Sequence, residues 1–272
     1  MFINIHNDIC VTDRQNNRIL IWYNESWTLN PIILENVNNS WSLFVTNNND
    51  IFVDNGYSNG TVDKWTLNGT NREVVMYVNS SCTGLFIDII NNLYCSSANE
   101  HRVFKIGLNT NMTMPTMTVA GTGCPGPVPD TLDHPHGIFV DENFTLFVAD
   151  THNNRIQRFE SDQMNAMTVA GFGASITFIL KRPTSVILDG NGYLFIVDSQ
   201  NHRIIRSISN GFECLFGCSG ENGASANLLN YPQTMAFDKD GNIFVTDFNN
   251  HRIQKFILNR ISSGMYVHLI IG

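Results

Sequence analysis

The chain has 272 residues, 43% of them hydrophobic and 15% charged, with a formal net charge of −8 and a pI near 5.4. That hydrophobic share supports a large buried core and excludes a disordered chain. The acidic balance argues against nucleic acid and anionic membrane as partners, and no apolar run is long enough to span a bilayer.

In chain order, short β-branched and aromatic runs alternate with Asn-, Asp- and Gly-rich turns. FINIHNDICVTD (2–13), WSLFVTNNNDIFVD (41–54), TGLFIDIINNLYCSS (83–97), HGIFVDENFTLFVAD (136–150), TSVILDGNGYLFIVD (184–198) and QTMAFDKDGNIFVTD (233–247) each read as two strands joined by a turn. A second piece starts at the end of each: DRQNNRILIW (13–22), DNGYSNGTVDKW (54–65), SANEHRVFKI (97–106), DTHNNRIQRF (150–159), DSQNHRIIRS (198–207) and DFNNHRIQKF (247–256). A further apolar run follows: PIILE (31–35), REVVMYV (72–78), MTVAG (117–121), MTVAG (167–171), ECLFG (213–217) and VHLIIG (267–272). Each unit is therefore four short strands, and the units recur about every 40 to 53 residues, the period of a propeller blade.

One four-stranded sheet cannot bury both of its faces. Six stacked radially can. The expectation is an all-β, six-bladed propeller in a single domain, with four antiparallel strands per blade and blades at about 1–39, 40–80, 81–131, 132–181, 182–230 and 231–272. The pattern resembles the NHL repeat, whose mark is a strand like IFVTD, a turn, and NHRIQKF. DFNNHRIQKF and DTHNNRIQRF carry that resemblance most closely.

The recurring Asp and Arg read as scaffold: Asp13 with Arg18, Asp54 alone, Arg102 alone, Asp150 with Arg155, Asp198 with Arg203, and Asp247 with Arg252. The carboxylate is expected to accept backbone N–H groups within the turn, and the guanidinium to reach that carboxylate or turn carbonyls. Blade 2 has Thr61 where Arg is expected, and blade 3 has Ser97 where Asp is expected. A second basic position recurs on the third strand, at Lys64, Lys105, Arg158, Arg206 and Lys255. Only Arg14, Arg72, Lys181, Arg182, Lys239 and Arg260 then remain, too few to build a nucleic-acid-binding face.

Catalytic signals are thin. The resemblance implies one enzyme alternative, since a related amidating lyase takes zinc from inner-strand histidines in a Pro-His context. Only His136, with His134 beside it, fits that context here. The aligned residues Trp41, Thr83, Thr184 and Gln233 do not, and a zinc site needs several converging ligands. His101, His152, His202 and His251 fall in the turn or strand motif. Asp88, Asp141, Asp189 and Asp238 recur where a lactonase-like propeller would hold calcium, but the position also suits hairpin-turn capping. No metal or other cofactor is expected.

Binding residues should break the repeat. In the irregular face loops these are Tyr57, His134, His136, Phe172, Lys181, Arg182 and Tyr231, each of which could instead pack its own loop. The leading expectation is a non-catalytic module that holds a protein or glycan on one propeller face. The alternatives are the substrate-recognition domain of a ubiquitin-ligase-type protein, and a metal-dependent lyase or lactonase. Sequons at Asn24, Asn38, Asn59, Asn68, Asn79, Asn111 and Asn143 point to an extracellular chain or an ectodomain, with a cytoplasmic setting as the alternative. So do two possible disulfides: Cys82–Cys95 across adjacent strands, and Cys214–Cys218 closing a tight loop.

Overall fold

A computed structural model describes residues 1–24, 26, 30–66, 71–108, 116–175, 178–257 and the strand at 266–271. The sequons at Asn68 and Asn111, and Arg260, lie outside the described residues. Among the described residues the strands form six four-stranded antiparallel sheets, each paired in simple sequential order. In blade 4 the strands are Pro135–Val140, Leu146–Asp150, Arg155–Phe159 and Met167–Gly171. The fourth strand of blade 6, Tyr266–Ile271, pairs with Arg252–Ile257 of its own blade. The structure is the six-bladed propeller that the repeats predict.

The ring order follows from contact between first strands. Each blade's first strand neighbours those of the blades before and after it, and Phe2–Ile3 meets Pro232–Phe237 to close the circle. Every seam carries its own apolar cluster. The closing seam packs Ile3, Ile9 and Trp22 of blade 1 against Phe244 and Ile253 of blade 6. The second strands show why one blade needs its neighbours: all five residues of Leu146–Asp150 and of Leu194–Asp198 are buried, because another sheet covers each face. Near the axis the first strands crowd together. A Cβ at Gly84 would meet the His136 carbonyl at 2.7 Å, and one at Gly137 would meet Ser185 Cα at 2.8 Å.

In blades 4, 5 and 6 the Asp–Arg pair ties the turn to the connection between blades, while in blade 1 the Asp13 carboxylate bonds Asn16 and Arg18 of its own turn. The Asp150 carboxylate does not accept a backbone N–H from its own turn. Its Oδ1 accepts Asp133 N at 2.7 Å, from the segment entering the same blade. Its Oδ2 accepts Asn153 Nδ2 at 2.9 Å and Arg155 Nε at 2.7 Å. The Arg155 fork then reaches back to the carbonyls of Pro127, Val128 and Thr131. Asp198 accepts Lys181 N, and Asp247 accepts Asn230 N, in the same manner. Arg252 likewise holds the carbonyls of Ala224, Ser225 and Leu228. A charged fork and a buried carboxylate thus satisfy loop amides and carbonyls that would otherwise lack partners.

Two blades depart from this arrangement. In blade 3 Ser97 replaces the acid, and the buried Arg102 Nε has no hydrogen-bond partner. In blade 2 Asp54 bonds instead to Trp41 N and to Cys82 N of the next blade, while a separate buried acid, Asp63, takes Arg72.

The second basic position is also structural. Lys64, Lys105, Arg206 and Lys255 each lie within about 6 Å of a ring on the neighbouring second strand: Phe52, Tyr94, Phe195 and Phe244. Cys82–Cys95 and Cys214–Cys218 are joined as disulfides. Cys10 is free and buried, and Cys124 is free and exposed.

Replacing Arg155 with Met should destabilise the protein by about 3–5 kcal/mol, because Asp150 and the loop carbonyls lose a buried charged partner. The equivalent Arg18→Met, at a pair that is partly exposed, should cost no more than about 1 kcal/mol. Urea unfolding of both variants checks this, and equal losses would count against the account.

Candidate functional site

The connections between blades, and the turns between second and third strands, share one face of the ring. At the centre of that face the first strands begin. Trp41, Thr83, His136, Thr184 and Gln233, from blades 2 to 6, line a cavity of about 330 Å³ with Arg14 of blade 1 and Phe248 of blade 6. Arg14 and Phe248 occupy the residue just after the motif Asp, so the scaffold acid positions them.

Several lining groups serve the ring itself. Thr83 Oγ1 donates to the Pro135 carbonyl of the next blade at 2.7 Å, and Thr184 Oγ1 to the Gln233 carbonyl at 2.8 Å. Ser42 and Thr151 lace Cys82 and Pro183 in the same way. The lining side chains that can meet a ligand include Arg14, Trp41, His136 and Phe248, with Gln233, whose amide also donates to Ser199 Oγ and the Tyr231 carbonyl. The Arg14 guanidinium lies 3.5 Å from the centre of the Trp41 ring, and its Nε donates to Asn39 Oδ1. His136 sits edge-on to Trp41 with centroids 6.4 Å apart. Burial pushes the His136 imidazole down to about 4, with His152, His134 and Arg182 adding to the effect, so it is neutral near pH 7. It can then donate one hydrogen bond and accept another. Trp41 is 39% exposed and Phe248 56% exposed.

Below the mouth the channel turns apolar. The rings of Phe2, Phe44, Phe86 and Phe139 follow one another around the wall with centroids 4.6, 5.3 and 5.1 Å apart. With Ile187 and Phe237 they bound a second cavity of about 230 Å³. The site is a polar rim over an apolar throat, the common form of a ligand pocket.

The other residues singled out in sequence lie elsewhere on the face. Tyr57 and Phe172 are exposed, at 64% and 72%. His134, Arg182 and Tyr231 share one position, immediately before the first strand, with left-handed φ angles of 48° to 50°. Their backbone N–H groups bond His101 Nδ1, Asn154 Oδ1 and His202 Nδ1 of the preceding blade. Their residue types vary while their backbone geometry repeats. Lys181 is exposed, and its backbone N–H goes to Asp198.

The channel does not fit the zinc site that the lyase resemblance implies, because Trp41, Thr83, Thr184 and Gln233 stand where further ligands would be needed. The acids proposed for calcium are already engaged: Oδ1 of Asp88, Asp141, Asp189 and Asp238 each accepts two backbone N–H groups of its own hairpin turn. In sequence the turn histidines are part of the repeated motif, with no sign that any of them meets His134. His101, His134 and His152 meet around Asp133. Turns from successive blades come together at a seam, and spacing within one repeat does not show that.

Compared with known families, the NHL repeat matches residues 132–159 and 229–256. The chain is a six-bladed propeller with NHL repeats. No curated protein matches it. Among solved structures, this NHL propeller is similar to a streptogramin B lyase, with TM-score 0.65 and 13% identity over 95% of this chain and 92% of that one. It is similar to a catalytically inactive virginiamycin B lyase from Staphylococcus aureus with quinupristin, with TM-score 0.65 and 13% identity over 99% and 82%. It is also similar to a protein of unknown function from Bacteroides thetaiotaomicron, with TM-score 0.75 and 12% identity over 97% and 67%. At these identities the likeness shows the fold alone.

Asp54 anchors Trp41, and it has no guanidinium partner because Thr61 stands at the Arg position. Burial pushes its carboxyl up to about 7 against the pull of the Cys82, Trp41 and Gly56 amides and of Arg14. The folded state therefore holds a proton that the unfolded chain releases near pH 4. The stabilisation from that proton is complete below about pH 4 and is lost as pH rises through about 7. Asp54→Asn should flatten the stability profile between pH 4 and 7.5 by roughly 2–4 kcal/mol relative to the parent. Urea midpoints across that range measure it, and parallel profiles would refute the assignment.

Proposed function

We propose that this propeller is a non-catalytic binding module that holds a protein partner on the face bearing the channel mouth. The observation that carries the reading is the exposure of Trp41 and Phe248 at the mouth of a phenylalanine-lined throat, rimmed by Arg14, His136 and Gln233. Aromatic and Arg side chains in a concave, partly dry site are the usual anchors of protein recognition. An apolar side chain of the partner enters the throat while its backbone meets the polar rim. The test is selection of a random peptide library on the immobilised chain, beside a glycan array. Peptides enriched on the parent should bind Trp41→Ala at least tenfold more weakly, and should bind Ile89→Ser, in an exposed hairpin turn away from the mouth, unchanged. Enrichment insensitive to Trp41 rejects the site, and signal on the glycan array alone rejects a protein partner.

A second reading, a lyase, is favoured by the neutral His136 in the mouth and by the lyases among the structures of similar fold. Incubation with quinupristin, the compound in one of those structures, separates the two. The binding reading expects it to remain intact, and a product would put the lyase reading first.

The proposed setting is extracellular, in contrast to an intracellular ubiquitin-ligase role. Two disulfides support it, as does the exposure of all five described sequon residues, Asn24, Asn38, Asn59, Asn79 and Asn143. Mass spectrometry of the native protein should find glycan on at least one of the five and both disulfides oxidised. Bare Asn and free thiols would point to the intracellular reading.

A further inference from the structure

Apart from the mouth, ligating side chains converge at one seam, between blades 3 and 4. Asp133 Oδ1 lies 2.7 Å from His134 Nδ1, 3.5 Å from His101 Nδ1 and 3.6 Å from His152 Nδ1. Ligand atoms of His101, Asp133 and His134 all lie within 4.8 Å of one another. Four ligands at ~2.0–2.1 Å around a tetrahedral ion are separated by roughly 3.3 Å, close to the spacing of Asp133 from His101 and His152. The His134 and His152 rings are stacked with centroids 3.9 Å apart, so the imidazoles must turn for their nitrogens to face one ion. The cluster is partly exposed, which leaves room for a water ligand.

The other seams show that the fold does not require these side chains. Each position is held by its backbone. Asp133 N bonds the motif acid, and its carbonyl accepts His152 N at 3.0 Å. One seam on, the same bonds form with Lys181 and Gln200, and the next seam uses Asn230 and Asn249. The place of His134 is taken there by Arg182 and Tyr231, each giving its N–H to the preceding turn. Three imidazoles and a carboxylate therefore gather where the scaffold accepts Lys, Asn, Gln, Arg or Tyr. Only the His101 side chain plays a part that recurs, since its Nδ1 accepts His134 N at 3.2 Å as His202 Nδ1 accepts Tyr231 N.

We infer that His101, Asp133 and His134, with His152 alongside, bind a divalent transition metal of the zinc class at the seam between blades 3 and 4. Two or three imidazoles with one carboxylate form a borderline nitrogen–oxygen set of the kind zinc takes. Metal binding replaces the His134 N to His101 Nδ1 bond and ties the segment entering blade 4 to the turn of blade 3. The site stands whether or not the mouth binds a peptide, because its readout is the metal itself.

The experiment uses the whole chain, with Cys124→Ser to remove the free exposed thiol, stripped with chelator and titrated with zinc chloride by calorimetry. One zinc per chain is expected, with a rise in Tm on binding. Asp133→Asn and His134→Tyr place residues that the next seams already carry, so folding, followed by circular dichroism, should persist. Each should weaken zinc by at least ten- to a hundredfold and abolish the rise in Tm, while His202→Ala changes neither. In the parent, zinc should slow amide exchange at residues 131–136 and near 101, a readout that needs no variant. No zinc uptake by the parent, uptake equal in the variants, or protection at another seam overturns the assignment.

Discussion

A buried aspartate that takes the amide of the segment entering its blade is the interaction on which the rest of this propeller rests. Radial packing alone would stack the sheets but leave the connections between them unfastened. Asp150, Asp198 and Asp247 give those connections a fixed acceptor, and Arg155, Arg203 and Arg252 compensate the acids while reaching back to loop carbonyls. A buried carboxylate is tolerable only when paired and hydrogen-bonded. Each acid therefore needs its Arg, and each Arg needs its loop.

The two irregular blades show the limits of that rule. Blade 2 keeps the acid without the Arg, and its proton affinity rises accordingly. It also forms an ion pair between its third and fourth strands, Asp63 with Arg72. Blade 3 keeps the Arg without the acid, and gains the Cys82–Cys95 disulfide between its first-strand segment and its second strand. The ring closes over both defects because every seam has its own apolar cluster, and no single seam must carry the whole fold.

The same fastening builds the functional face. It holds Phe248 beside the axis behind Asp247 and sets Trp41 through Asp54, while Arg14 follows Asp13, whose carboxylate bonds Asn16 and Arg18. It also fixes backbone positions whose side chains are free to change from seam to seam. At one seam those side chains are Asp133, His134 and His152. Scaffold and site are thus different atoms of the same residues: the backbone repeats and the side chain specialises.

How much of this could be read beforehand follows from period and distance. Strand count, blade number, the scaffold role of the recurring Arg and both cysteine pairings depend on residues close in sequence or on a regular repeat. Alternating apolar runs, turn residues and a fixed period therefore determined them. His136 could be placed at the axis because it begins a first strand. The gathering of Arg14, Trp41 and Phe248 at one mouth, and of His101 with Asp133, His134 and His152 at one seam, joins residues about 20 to more than 200 positions apart. Only the closed ring sets those distances, because six blades must each cover the faces of two neighbours, and in doing so they bring turns from different repeats within hydrogen-bonding reach.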